Sequence, residues 1–141
     1  MTGGSVIVHA TTVAIQGQGV VIQGPAGSGK SGLALQLMAL GARLVADDRT
    51  ILTPCDGRLH ASCPAPLVGM IEARGVGLLR AEPLHEAPVV LVIDMGVEEP
   101  SRLPARHLVT LLDCQLPLLQ KVASSHFPAA VLQYVLGGTN S

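Results

Sequence analysis

The clearest chemical pattern in the sequence is the glycine-rich segment GPAGSGKS at residues 24–31. It matches G-x-x-x-x-G-K-[ST], in which glycines let successive backbone N–H groups turn toward phosphate oxygens. In such a loop Lys30 reaches the β- and γ-phosphates of a nucleotide, and the Ser31 hydroxyl binds Mg²⁺. A glycine turn that only caps a helix is the structural alternative. The sequence therefore predicts a nucleotide-binding loop made of Gly24, Pro25, Ala26, Gly27, Ser28, Gly29, Lys30 and Ser31.

Acidic side chains outside the loop could supply a base or a metal ligand. Asp47 and Asp48 follow a short predicted strand, where one could act as a general base while the other lies near the metal; a solvated turn is the alternative. Glu72, shortly before Arg74, is either a metal ligand or half of a structural ion pair. Asp94 follows an apolar strand, as a Walker-B acid does, and competes with the aspartate pair for that role.

The histidines carry a weaker signal. His9 lies in the middle of an apolar predicted strand, where a histidine more often belongs to the core than to a catalytic site. No metal-ligand spacing links the remaining histidines, which are His60, His85, His107 and His126.

The elements that must position these residues follow from the hydrophobic pattern. Residues 5–15 and 20–23 are predicted to form a hairpin leading into the loop, and residues 31–40 a helix buried on most of its faces. Further predictions are strands at 43–46, 50–54, 58–62 and 89–93, a segment at 67–80 with one buried-looking acid, a loop at 97–107, a strand or helix at 108–120 broken at Pro117, and a helix at 126–136. The whole chain, residues 1–141, is interpreted as one α/β domain.

Composition excludes several classes of protein. Apolar residues make up 48% and charged residues 13% of the chain, the reverse of what intrinsic disorder requires. The net charge of −1 and the near absence of aromatic residues argue against nucleic-acid binding. Three cysteines without Cys-x-x-Cys spacing argue against a disulfide framework or a zinc cluster. Because neither a signal peptide nor a membrane-spanning run is visible, we expect a soluble cytoplasmic protein.

Taken together, the motifs resemble the catalytic domain of the HPr kinase/phosphorylase family, P-loop enzymes that act on a serine of the phosphocarrier protein HPr. The resemblance covers roughly residues 8–80 and is carried by HAT at 9–11, GQGVVI at 17–22, the loop, LVADDR at 44–49 and IEARGVG at 71–77. The loop alone is generic, whereas its combination with VADDR and IEARGVG is specific. The chain resembles the short form found in alphaproteobacteria, which lacks the additional N-terminal domain and the downstream basic motif of the long form.

The resemblance implies a fold and a set of ligands. The expected fold is a single α/β P-loop kinase domain, with a mixed sheet around the helix that follows the loop. ATP would bind to residues 24–31, and Mg²⁺ would be held by Ser31 and by Glu72, the glutamate of the E-x-R-G segment.

Catalytic roles also follow from the resemblance, residue by residue. The first aspartate of the D-D-R motif, here Asp47, is the base that takes the proton of the substrate serine. His9 stands where the family has an active-site histidine, and Asp48 supports the base beside it. Lys30 neutralises charge on the transferred phosphoryl group. Asp94 becomes a structural acid in this interpretation.

The function hypothesis is an ATP-dependent protein serine kinase that phosphorylates an HPr-like phosphocarrier of a phosphotransferase system, with at most weak reverse phosphorylase activity. Assembly into a homo-oligomer stays open. The alternative is an ATP-binding regulatory module that signals to a partner such as a sensor kinase. A small-molecule kinase or a plain NTPase is less favoured, because the chain shows no obvious base-recognition element or lid.

Overall fold

A nine-stranded mixed β-sheet forms the centre of the computed structural model, which describes residues 4–139. The strands are β1 Val6–Val8, β2 Ala10–Ile15, β3 Gln18–Gln23, β4 Arg43–Ala46, β5 Thr50–Cys55, β6 Arg58–Ser62, β7 Met70–Ala73, β8 Gly77–Arg80, β9 Glu86–Glu98, β10 His107–Leu111 and β11 Cys114–Lys121. The helices are α1 Lys30–Ala39 and α2 Phe127–Gly137, and a 3₁₀ turn covers Ala65–Leu67. Strands β7 and β8 form a separate two-stranded hairpin.

The strand order brings the ends of three strands to one edge of the sheet. The order is β1-β5-β6-β9-β3-β2-β4, with β11 on the last part of β9 and β10 beyond β11. Strand β3 runs parallel to β9, and β2 runs antiparallel to both β3 and β4. Strands β3, β4 and β9 therefore point the same way, so the chain segments that follow β3 and β4 lie close together.

Both faces of this sheet are covered. In β3, Val20 and Ile22 pack into one core together with Leu37 of α1 and Val131 of α2, while Val21 packs into a second core on the opposite face. Because neither face of the central strands meets water, their sequences are continuously apolar instead of alternating.

Most of the predicted elements are confirmed. The hairpin before the loop is β2–β3, and the helix after the loop is α1. The predicted strand 43–46 is β4, the hairpin of 50–54 with 58–62 is β5–β6, and the buried strand 89–93 lies within β9. The C-terminal helix is α2.

Four details of the predictions are wrong. The predicted strand 5–15 is interrupted at His9, and β9 continues through Glu98 because β11 pairs with it there. Residues 108–120 fall within a hairpin of β10 and β11; Pro117 fits inside β11 because the ladder to β9 begins at the next residue. Helix α1 buries only Leu33, Ala34 and Leu37, so it is covered on one side and not on most of its faces.

No helix within residues 4–139 combines the length and the apolar character needed to cross a membrane.

Candidate active site

The glycine-rich loop joins β3 to α1 in a conformation that needs glycine. Gly24, Gly27 and Gly29 have φ angles of 146°, 81° and 102°, in a region that side chains disfavour. Gly24 is also crowded, because a Cβ there would lie 2.7 Å from Ser28 Oγ and 3.1 Å from the backbone nitrogen of Gly96. Gly29 is the N-cap of α1, so the first amides of that helix face the loop without a capping side chain. Free amides at a helix N-terminus favour an anion such as phosphate.

Both lysines of the chain contact this loop. Lys30 Nζ donates to Gly24 O at 2.8 Å, which holds the ammonium group across the loop. Lys121, at the end of β11, donates from Nζ to Ser28 O at 3.3 Å. The loop therefore has two cations beside it, one from the start of α1 and one from the end of β11.

Asp47, the first residue after β4, is the acid that touches the loop. Its Oδ1 accepts hydrogen bonds from Ser31 Oγ at 2.7 Å and from Thr11 Oγ1 at 3.0 Å. Its Oδ2 accepts from the backbone N–H of Glu72 at 2.9 Å. The half-buried carboxylate thus joins the loop serine, strand β2 and the β7–β8 hairpin.

The two other candidate acids lie differently. Asp48 is exposed and has a φ angle of 65°, and its backbone N–H donates to Thr11 Oγ1 at 3.3 Å. Asp94 lies inside β9, in register with Gln23 of β3, and accepts from the backbone N–H of Gly96 at 2.8 Å. Of the three acids, only Asp47 hydrogen-bonds to Ser31.

His9 and Glu72 are placed at the edges of this arrangement. The exposed His9 lies at the break between β1 and β2, so its interpretation as a core histidine is wrong. Because Ala10 pairs with Gln23, His9 lies at the sheet edge where the loop begins. Glu72 is also exposed, contrary to the expected buried acid. Within residues 4–139 it makes no ion pair with Arg74, which leaves its carboxylate available to a ligand.

Cys63 is a neighbour of the site that its sequence position does not reveal. Burial and, to a smaller extent, the negative charge of Asp47 raise the pKa of its thiol. Its Sγ donates to Pro64 O at 3.4 Å. The residue is therefore a neutral, weakly reactive thiol near the candidate base.

Oxygen donors suited to Mg²⁺ meet at the start of α1. Ser31 Oγ and the Asp47 carboxylate are in contact there, and Mg²⁺ commonly takes only one or two protein oxygens besides phosphate and water. No group of three or more His, Cys, Asp or Glu side chains in residues 4–139 is arranged to hold a metal by itself. Ser31 therefore fits as a ligand of a Mg²⁺ ion that enters together with a nucleotide, and the exposed Glu72, whose backbone N–H is bonded to Asp47, is the candidate second ligand.

Two open clefts lie on the surface. One of about 290 Å³ adjoins the loop and is lined by Gly32, Gln36, Lys121 and Phe127, among others. A larger one of about 580 Å³, between Arg43 and Arg80, includes none of the predicted site residues. The smaller cleft is the one that could receive the rest of a nucleotide held by the loop.

Comparison with known families identifies the fold. The profile of the family described as HPr Serine kinase C-terminal domain matches residues 3–92, well over half of the chain. The chain belongs to this family. The match contains the loop, the aspartate pair and the E-x-R-G segment, and it confirms the family resemblance predicted from the motifs.

Individual relatives agree with this family membership. An HPr kinase/phosphorylase of Clostridium botulinum (strain Eklund 17B / Type B) is 39% identical over 83 residues, which cover 59% of this chain and 27% of the relative. The HPr kinase/phosphorylase of Streptococcus thermophilus is 43% identical over 84 residues, with the same shares of 59% and 27%. The chain thus matches about a quarter of the length of these curated relatives.

A solved structure extends the similarity beyond the matched sequence. The Hpr(Ser) kinase/phosphatase of Coxiella burnetii superposes with a TM-score of 0.78 at 26% identity, covering 93% of this chain and 94% of that one. The mixed α/β fold predicted for the chain is confirmed, and it includes most of the region after residue 92.

Three neighbours of the loop and Asp47 were not among the predicted site residues: Thr11, Cys63 and Lys121. Thr11 lies 36 positions from Asp47, and Lys121 lies 93 positions from Ser28. Contacts between residues so far apart in sequence depend on the order of the strands in the sheet. The one available signal was the rarity of lysine, since Lys121 is one of only two in the chain.

Proposed function

We propose that this HPr kinase domain is an ATP-dependent protein serine kinase that phosphorylates an HPr-like phosphocarrier of a phosphotransferase system. Family membership and the names of the relatives suggest the substrate. The observation that carries the proposal is the hydrogen bond between Asp47 and Ser31, which sets a carboxylate beside the phosphate loop. Such a kinase is expected to work in the cytoplasm, where ATP and phosphocarriers occur.

Nucleotide binding would use the loop and the first turn of α1. Loop amides and the helix N-terminus surround the phosphates, and Lys30 exchanges the Gly24 carbonyl for phosphate oxygens. The nucleoside would lie in the adjoining cleft of about 290 Å³. When Mg²⁺ is bound it neutralises charge on the phosphates, and Ser31 and Glu72 are the residues proposed to hold it.

Phosphoryl transfer would use Asp47 as base. The hydroxyl oxygen of the carrier serine attacks the γ-phosphorus while the bond from that phosphorus to the β-γ bridging oxygen breaks. Asp47 takes the hydroxyl proton, and ADP leaves with the bridging oxygen. Asp48 and His9, at the same edge of the sheet, are proposed to orient the carrier serine.

The test is intact-mass spectrometry of an HPr-like carrier after incubation with this chain and Mg·ATP. We expect a mass increase of one phosphoryl group, located on a serine, and no increase with the Lys30→Ala variant. A chain that binds ATP but modifies no carrier would instead be the regulatory module. In a parallel sample without carrier, steady release of phosphate would indicate a plain NTPase.

A further inference from the structure

We propose that Thr11 is a positioning residue for the aspartate pair. It fixes the Asp47 carboxylate and the backbone of Asp48 through one hydroxyl group, and the inference rests on the proposed kinase function. Thr11 is the last residue of the HAT segment at 9–11, in which the family resemblance assigns a role only to His9.

The hydroxyl of Thr11 acts both as a hydrogen-bond donor and as an acceptor. It donates its single proton to Asp47 Oδ1 at 3.0 Å and accepts the N–H of Asp48 at 3.3 Å. The residue has no exposed surface, and a β-branched side chain in a strand has restricted χ1 freedom. The hydroxyl is therefore held at one place, and two consecutive residues of the neighbouring chain segment are bound to it.

The chain segment that is hydrogen-bonded to Thr11 contains a strained residue. Asp48 has a φ of 65°, a strained conformation for a residue with a side chain, and it is separated from the end of β4 only by Asp47. Ser31 contacts the same carboxylate oxygen as Thr11, but it is also the proposed Mg²⁺ ligand. When Ser31 turns to the metal, Thr11 is the remaining side-chain donor to Oδ1 and keeps the base in place.

The next residue provides a matched control. Thr12 is equally buried in the same strand, but alternation directs it to the opposite face. Its hydroxyl contacts Thr50 Oγ1 at 2.9 Å, and Thr50 donates in turn to Ala10 O at 2.9 Å. Thr12 therefore has a buried hydroxyl hydrogen bond that does not involve the aspartates.

Three variants test the proposal: Thr11→Val, Thr11→Ser and Thr12→Val. Thr11→Val removes a hydrogen bond to the Asp47 carboxylate, so we expect it to lower kcat by about 10-fold or more. The KM for ATP should stay within about two-fold of the wild type, since Thr11 does not contact the loop. Thr11→Ser should restore most of kcat. Thr12→Val should lower thermal stability to a similar degree but leave kcat near the wild-type value.

A second measurement is independent of activity. Amide hydrogen exchange followed by NMR should show faster exchange of the Asp48 amide in Thr11→Val, protection retained in Thr11→Ser, and no change in Thr12→Val. Unchanged exchange in Thr11→Val, or an equal loss of kcat in both valine variants, would overturn the positioning role. A wild-type chain that transfers no phosphoryl group would overturn the proposed function, while the exchange experiment would still decide the role of Thr11.

Discussion

Asp47 receives hydrogen bonds from three parts of the chain: Ser31 of α1, Thr11 of β2 and the backbone of Glu72 in β7. An ionised carboxylate only accepts hydrogen bonds, and in all three contacts the Asp47 carboxylate is the acceptor. The adjacent Asp48 makes only a backbone contact with this network. The two aspartates are neighbours in sequence but are not equivalent in structure.

This difference gives the first prediction. Asp47→Asn should lower phosphoryl transfer by about 10²–10⁴-fold, because the amide cannot take the serine proton. Its affinity for Mg·ATP should change only a few-fold, and Asp48→Asn should show a smaller loss of transfer. Single-turnover transfer of labelled phosphate and equilibrium nucleotide binding separate the two effects. An inactive Asp48→Asn beside an active Asp47→Asn would reverse the assignment within the pair.

Glu72 gives a prediction about metal dependence. Its backbone is tied to Asp47, whereas its exposed carboxylate has no ion pair with Arg74. If it is a ligand, Glu72→Gln should raise the Mg²⁺ concentration needed for half-maximal activity, because the amide keeps the shape and loses the charge. Arg74→Gln is the control and should leave that concentration unchanged. An identical Mg²⁺ titration for Glu72→Gln and the wild type would remove Glu72 from the metal site.

Cys63 reports on the charge of Asp47. Since burial and then the Asp47 charge raise the pKa of its thiol, the reactive thiolate is scarcer at pH 8 than in the unfolded chain. Iodoacetamide should therefore modify Cys63 more slowly in the folded protein than in the denatured one. Asp47→Asn removes the second cause and lowers the pKa, so modification at the same pH should accelerate, whereas Asp48→Asn should have no effect. Peptide mass spectrometry gives the rates; equal rates for Asp47→Asn and the wild type would contradict the assigned cause.

The residue types of the site could be predicted from sequence, but their contacts could not. The loop, the aspartate pair and the E-x-R-G segment are contiguous motifs, so spacing is enough to find them. Thr11 and Lys121 lie far from Asp47 and Ser28 in sequence, and strand order alone brings these residues into contact. The break in the strand at His9 could not be predicted either, because β-branched residues on both sides of it hide the break.

At the scale of elements, the loop between β3 and α1 depends on where each glycine lies. Gly24 and Gly27 both have positive φ, but only Gly24 has atoms close to the position of a Cβ. Gly24→Ala should abolish nucleotide binding, because the new methyl group would collide with Ser28 of the loop itself and with the backbone of Gly96 in β9. Gly27→Ala adds a methyl group to open space and should cost only about 1–2 kcal/mol of backbone strain, with weaker but measurable binding. Titration with a fluorescent nucleotide compares them; equal binding by both variants would show that crowding at Gly24 is unimportant.

The elements themselves were predictable where one periodicity dominates. The β2–β3 hairpin, α1, the β5–β6 hairpin and α2 follow from apolar pattern and turn residues. The end of β9 could not be predicted from the sequence, because residues 94–98 include acids and a glycine, as a loop commonly does. Pairing with β11 keeps this segment extended, and that pairing joins positions far apart in sequence.

At the scale of the whole molecule, the directions of the strands explain why the candidate site residues meet at one edge of the sheet. Because β3, β4 and β9 run in the same direction, the loop after β3 and Asp47 after β4 meet at their carboxyl ends. The sequence predicts a buried sheet and the β2–β3 hairpin, but not that β4 pairs with the other side of β2. The likeness to the Coxiella burnetii structure covers 93% of the chain, far beyond the motifs, so the fold is more widely shared than the sequence pattern suggests.

The last prediction concerns the reverse reaction, in which an oxygen of inorganic phosphate attacks the phosphoserine phosphorus and pyrophosphate forms while the serine recovers its proton. This step brings two anions together, so it requires more positive charge at the loop than transfer from ATP. After Arg80 the chain offers only Arg102, Arg106 and Lys121, and both arginines lie exposed in the segment between β9 and β10. Lys121 is already bonded to the Ser28 carbonyl. We therefore expect pyrophosphate release from serine-phosphorylated carrier at millimolar phosphate to be much slower than forward phosphorylation at millimolar ATP. Comparable rates in the two directions would contradict this, and loss of the reverse rate alone in Lys121→Ala, with Arg102→Ala and Arg106→Ala as controls, would then identify Lys121 as the additional cation.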